Sequence, residues 1–323
     1  MQSTSTSEYR RRKFTKCCYN KSTVPKKLRI NILVSITPLK HVESDGVGDI
    51  LLTINNVSKQ FSHIEALKNV NLTLNRGDIV GLVGGNGAGK TTLLRLMCGL
   101  YHPTTGQVLF HRDSSQAPVA EMRRFLGVVP EATGLYYRLT AWENIRYHSR
   151  LHGISDEECW KNTLEIAKDL DFVESLGRPT RGFSKGMRQK AAIIRALAHK
   201  PEILLLDEPT SGLDVTSARM VRSLVKRMGQ AGGTVIYSTH KLAEAEQVCD
   251  RIIIIHNGEV RADGSPGELL DITQTTSLEE AYVKLTMDAA RETEKEDVEG
   301  RIAKYWRRMM TPRKLPGGGE EDE

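Results

Sequence analysis

The segment Gly84-Gly85-Asn86-Gly87-Ala88-Gly89-Lys90-Thr91 restricts what this chain can fold into more than any other stretch. It has the form G-x-x-x-x-G-K-[ST], follows the apolar run Ile79 to Val83, and leads into Thr92-Leu93-Leu94, the amphipathic start of a helix. Glycines without side chains let successive backbone N–H groups turn inward, and the N-terminus of the following helix adds the positive end of its dipole. Such a cradle suits phosphate groups. Lys90 is placed to reach the β- and γ-phosphates of a nucleotide, and Thr91 offers a hydroxyl to Mg²⁺.

From Leu51 onward short apolar runs alternate with helical patterns. Ile79 to Val83, Ile203 to Leu206, Val235 to Tyr237 and Ile252 to Ile255 read as strands buried on both faces, so a largely parallel sheet is expected. Met187, Ala191, Ile194 and Ala198 recur at helical spacing within Gly186 to Lys200, and Asp214 to Gly229 is helix-like with Asp214 as its N-cap. Residues 140 to 170 hold two further helical stretches, separated near Gly153. The strand Ile203 to Leu206 ends in Asp207-Glu208, which is where a phosphate-loop protein presents a metal-orienting carboxylate and, beside it, a base for water.

Charge narrows the class further. Of the formal net charge of +6, residues 1 to 48 carry +7 (ten Lys/Arg against three Asp/Glu), which leaves −1 for the rest. The remainder therefore has no nucleic-acid footprint. Residues 1 to 48 lack a signal-peptide core and a 3.6-residue period, and are expected to be a flexible basic arm. Cys17, Cys18, Cys98, Cys159 and Cys249 show no CxxC spacing, and no histidine cluster is evident, so neither a zinc site nor a disulfide framework is expected and a reducing compartment fits. No apolar run approaches the roughly 20 residues needed to cross a bilayer, so any membrane role is expected to be borrowed from a partner.

Phe183-Ser184-Lys185-Gly186-Met187-Arg188-Gln189 resembles the signature of ATP-binding cassette (ABC) ATPases, with Lys185 and Met187 where Gly and Gln are more usual. The order that follows also resembles that family: Glu208-Pro209-Thr210, then Ser211-Gly212-Leu213-Asp214 like its D-loop, then Ser238-Thr239-His240 like its switch histidine. The resemblance covers residues 50 to about 270. It implies an α/β P-loop NTPase of ABC type, with a mainly parallel core sheet, an antiparallel β subdomain and an inserted helical subdomain at about 132–200. The corresponding organisation is an arm at 1–48, a nucleotide-binding domain at 49–272, and a charged helical and flexible tail at 273–323.

The same resemblance implies ATP and Mg²⁺ as cofactors. Phe61 stands where an aromatic ring stacks on adenine; Asp207 would hold Mg²⁺ through water; Glu208 would act as general base; His240 would contact the γ-phosphate and that base. Glu131 departs from the family, which more often has Gln there as a Mg²⁺ ligand, although a carboxylate oxygen also serves. Ser184, Gly186 and the helix N-terminus behind them would bind the γ-phosphate of ATP held by another subunit, so a head-to-tail homodimer is expected; Asp214 of the D-loop is counted with the nucleotide-binding residues.

Glu131 to Tyr136 and Arg138 to Asn144 resemble the exporter branch that includes NatA-type sodium efflux ATPases. The function implied is the ATP-hydrolysing subunit of an exporter of sodium ions or a drug-like compound, bound through a separate transmembrane permease to the cytoplasmic face of the membrane. The competing class is a soluble ABC ATPase acting on ribosomes or nucleic acid, for which the basic arm is the supporting feature. Against that class, the chain has one set of motifs rather than two, and no coiled-coil or zinc insertion. A regulator without turnover is disfavoured by the presence of both Glu208 and His240.

Overall fold

The computed structural model of the chain describes residues 50–112 and 115–287. The basic arm at 1–48 and the distal tail from 288 lie outside the described residues. The strands are β1 (Ile50–Phe61), β2 (Ile64–Asn75), β3 (Ile79–Val83), β4 (Thr105–Arg112), β5 (Ser115–Pro118), β6 (Leu126–Val129), β7 (Ile203–Asp207), β8 (Thr234–Thr239), β9 (Arg251–His256) and β10 (Glu259–Gly264). The helices are α1 (Lys90–Met97), α2 (Ala141–Leu151), α3 (Asp156–Asp169), α4 (Lys185–Leu197), α5 (Val215–Gln230), α6 (Leu242–Val248) and α7 (Pro266–Thr273).

Two sheets form. The larger has the order β10-β9-β3-β8-β7-β6, parallel except for the antiparallel β9–β10 edge. The smaller, β2-β1-β4-β5, is antiparallel throughout. Successive side chains of a strand point to opposite faces, and the buried residues sort by that rule into two cores. Ile79, Val83, Leu204, Leu206, Val235, Tyr237, Ile252 and Ile254 join one core with residues of α2 to α6. Val80, Leu82, Ile203, Leu205, Ile236, Ile253 and Ile255 join the other, with α1 and the antiparallel sheet. Each fully buried Val, Leu or Ile contributes about 1.5–3 kcal/mol by leaving water, which makes this double-sided burial the main force holding the sheet in register.

Local signals set the helix starts. Asp214 caps α5 by accepting from Ser217 N at 2.9 Å, and Thr140 caps α2 in a reciprocal box with Glu143. Each such cap stabilises its helix by about 1 kcal/mol. Gly153 takes a φ of 76° in the break between α2 and α3, a conformation costly for any residue with a Cβ. In the segment expected to be a charged helical and flexible tail, residues 278–287 are helical, Leu278 and Ala281 are buried, and Tyr282 and Leu285 pack on the first core.

The expectation of no histidine cluster is overturned. His148 and His152 lie four residues apart at the end of α2, and folding brings His199, just past α4, against them. His152 and His199 stack with ring centroids 3.8 Å apart. Burial, with the Arg195 cation second, drives His148 down to about 3, and burial drives His199 down to about 4. The i, i+4 spacing was visible in the sequence, whereas the 47-residue separation of His152 from His199 concealed the third ring. Among the described residues Cys98, Cys159 and Cys249 are free thiols and buried.

Candidate active site

The loop Gly84–Gly89 joins β3 to α1 at the C-terminal end of the parallel strands, where open α/β sheets place their ligand crevices. Two glycines are sterically required. A Cβ on Gly84 would lie 2.3 Å from Ile255 O, and Gly89, at φ 111°, would press one to 2.8 Å from Ala66 O. Lys90 folds back over the loop and donates from Nζ to Gly84 O at 2.6 Å and Gly85 O at 3.0 Å. Burial lowers its pKa, an effect opposed by the neighbouring carboxylates of Glu208, Asp207 and Glu131.

Three strand ends converge on this loop. At the end of β7, Asp207 accepts from Thr91 Oγ1 at 2.8 Å and from Ser238 Oγ at 3.1 Å, so both of its oxygens are held. Glu208 has a φ of 49°, a conformation costing a side-chain-bearing residue about 1–3 kcal/mol, and its N–H donates to Ser238 O at 3.1 Å. That backbone turn lets two successive acids occupy one end of one strand. Beyond β8, His240 Nδ1 lies 2.9 Å from both Glu208 carboxylate oxygens. An ionised carboxylate only accepts, so Nδ1 is the protonated nitrogen. Lys90 Nζ stands 3.9 Å from Glu208 Oε1, completing a chain from loop to histidine.

These groups line a cleft of about 460 Å³, within the usual range for small-ligand sites. Gly85, Asn86, Gly87, Ala88, Gly89, Lys90, Thr91, Thr92, Glu131, Asp207, Glu208 and His240 all line it, together with Ala66 and Ser211. Phe61 does not; it sits at the tip of the β1–β2 hairpin, exposed, packed edge-on against Tyr101 at 5.3 Å. Ser184 and Gly186 lie outside the cleft as well, at the N-terminus of α4, where Ser184 is exposed and caps the helix through Met187 N at 3.2 Å. Asp214 is exposed, and its carboxylate is engaged by Ser217 N and Oγ.

The sequence reading missed Ser238 as a holder of Asp207, and it missed Tyr282, whose hydroxyl accepts from Gly85 N at 3.0 Å. Ser238 could have been found from the Ser-Thr-His run, but no sequence signal links residue 282 to the loop. Lys185, where the family more often has Gly, donates to Ser211 Oγ at 3.0 Å and lies under Gly212, so the departure from the usual signature ties α4 to the cleft wall.

The family model "ABC transporter" matches residues 67–211. The ABC transporter ATP-binding protein NatA of Bacillus subtilis is 37% identical over 233 residues, which is 71% of this chain and 95% of NatA. The chain belongs to the ABC transporter ATP-binding family. A further relative is the Nod factor export ATP-binding protein I of Cupriavidus metallidurans, 32% identical over 72% of this chain and 77% of that protein. A dimeric ATP-binding cassette solved in a post-hydrolysis state with ADP and Pi superposes with a TM-score of 0.61 at 32% identity, over 67% of this chain and 98% of its own. This ABC ATPase therefore has the fold expected from its motifs. Among the described residues of the cassette, no helix is long and apolar enough to cross a membrane.

Proposed function

We propose that this cassette hydrolyses ATP as one of two like subunits driving a membrane exporter, attached to the cytoplasmic face through a separate permease. The observation that carries the reading is the unbroken chain Lys90–Glu208–His240 beside the Thr91–Asp207–Ser238 network in one cleft. Lys90 is the only Lys or Arg among the described residues lining the cleft, against Glu131, Asp207 and Glu208. A polyphosphate entering there would be repelled by the carboxylates without a divalent counter-ion. The donors, the Thr91 hydroxyl and the Asp207 and Glu131 carboxylates, are all hard oxygens and fit Mg²⁺. Bound there, the metal would neutralise phosphate charge.

The protein's own steps follow from position. The loop N–H groups and Lys90 orient the β- and γ-phosphates; Glu208 accepts the proton of the attacking water; and the Nδ1–H of His240 holds that carboxylate until γ-phosphate arrives. Phe61, in this reading, meets adenine at the rim. Ser184, Gly186 and Asp214 serve the ATP of the opposite subunit, a role supported by the exposure of Ser184 and Asp214 and by the absence of all three from the lining of their own cleft. The cargo in this reading is a sodium ion or a drug-like compound, chosen by the permease.

Fractionation of cells producing the tag-free chain tests the assignment. We expect it in the membrane fraction with a multi-span partner, and expect inverted vesicles carrying both to move sodium or a drug in an ATP-dependent way. Sedimentation with ribosomes, with no membrane-bound pool, would return the chain to the soluble class.

A further inference from the structure

Away from the cleft, three histidines form a group with the features of a metal site. His148 and His152 share one face of α2 at i, i+4 spacing, and His199 approaches from beyond the C-terminus of α4. One nitrogen from each ring lies within 4.8 Å of the others. A tetrahedral ion at about 2.0–2.1 Å from each nitrogen needs them roughly 3.4 Å apart, a closure that small rotations about the side-chain bonds supply.

The hydrogen bonding is incomplete in a way that points to a ligand. His199 Nε2 lies 3.0 Å from Leu126 O; a carbonyl only accepts, so Nε2 carries the proton and Nδ1 the lone pair. That Nδ1 is buried with no hydrogen-bond partner, and so is His148 Nδ1. Burying a ring nitrogen without a hydrogen-bond partner is costly, so two in one cluster call for an explanation. A backbone carbonyl fixing the far N–H of a ring is also the usual outer support of a ligating histidine.

We propose that His148, His152 and His199 bind a borderline divalent d-block cation, with Zn²⁺ as its probe, at the joint between α2, α4 and the start of β6. The ligand set decides the class of ion. Arg195 is the cation facing His148, its guanidinium held by Gly134 O at 2.9 Å and Thr133 O at 2.8 Å, and the three ligands are imidazoles with no carboxylate among them. Hard ions such as Mg²⁺ and Ca²⁺, which need anionic oxygen ligands, are excluded from such a site; ions that bond strongly to imidazole nitrogen are not. The bound ion would tie the end of α2 to the end of α4 and, through Leu126, to β6, whose other end leads to Glu131 in the cleft.

The test uses the tag-free full chain, stripped with EDTA and dialysed, titrated calorimetrically with Zn²⁺ and separately with Mg²⁺ in a buffer that does not chelate. His152→Gln, at the half-buried end of α2, is the first variant, and His199→Gln the second should the first disturb folding. We expect wild type to take up one more equivalent of Zn²⁺ than the variant, with at least ~10-fold weaker binding left at the mutated site. Zn²⁺ should also raise the wild-type melting temperature, and the variant should lose that increment even if its metal-free melting is unchanged. Superimposable Zn²⁺ isotherms for wild type and variants, or a Zn²⁺ increment that survives both substitutions, would show that the rings only pack together.

Discussion

The cleft at the strand ends and the N-terminus of α4 belong to the same chain but are built on opposite terms. In the cleft the polar groups satisfy one another: Lys90 holds two loop carbonyls, Asp207 is held by two hydroxyls, and Glu208 by His240. At α4, Ser184 is exposed, does no more within this chain than cap its own helix, and lies outside the cleft. A site finished within one chain and a serine left open to solvent outside it are complementary halves. The difference suggests that nucleotide binding is a property of the single subunit and that turnover is a property of two.

The largest effect is expected at the finished half. Lys90→Ala removes the one Lys or Arg that lines the cleft among the described residues, and ATPase activity should fall more than ~10³-fold with weakened nucleotide binding, read by phosphate release and by fluorescent-nucleotide titration. Near-normal turnover would sink the cleft assignment. Next comes the unfinished half: Ser184→Arg should reduce turnover ~10²-fold while the isolated subunit's ATP affinity stays within about two-fold, because the residue serves the other subunit's nucleotide. Equal losses of affinity and rate would place Ser184 at its own chain's site and erase the contrast.

A subtler change separates metal from nucleotide. Glu131→Gln removes one of the three carboxylates lining the cleft, so the Mg²⁺ concentration for half-maximal activity should rise and metal-free ATP binding should improve. Superimposable Mg²⁺ titrations would assign Glu131 to the solvent alone. The smallest effect is expected from deleting residues 1 to 48, outside both halves: unfolding free energy should change by no more than ~0.5 kcal/mol and ATPase activity by less than about two-fold. A large loss of either would give the arm a structural role.

The core sheet was legible because its strands are buried on both faces: runs such as Ile203 to Leu206 have no polar alternation to confuse with a helix. Asp207, Glu208 and Lys90 were legible because each sits within a few residues of a strand end, where local sequence fixes position. What was hidden depends on contacts between distant segments. Tyr282 reaches Gly85 across 197 positions, and His199 meets His148 and His152 only once α3 and α4, which separate them in the chain, have packed. Nor did the sequence announce that Glu208 adopts a left-handed backbone, since nothing about a glutamate favours it. The role of Lys185 also appeared only when α4 was laid beside Ser211.

The claim that two chains complete each site is tested most directly with Glu208→Gln, in which an amide nearly the size of the carboxylate cannot accept the water's proton and removes a negative charge from beside the γ-phosphate. Size-exclusion chromatography with light scattering, on the full chain with ATP at low Mg²⁺, should show a dimer that reverts to monomer when ATP is withheld. A variant that remains monomeric with ATP demonstrably bound would contradict the shared site.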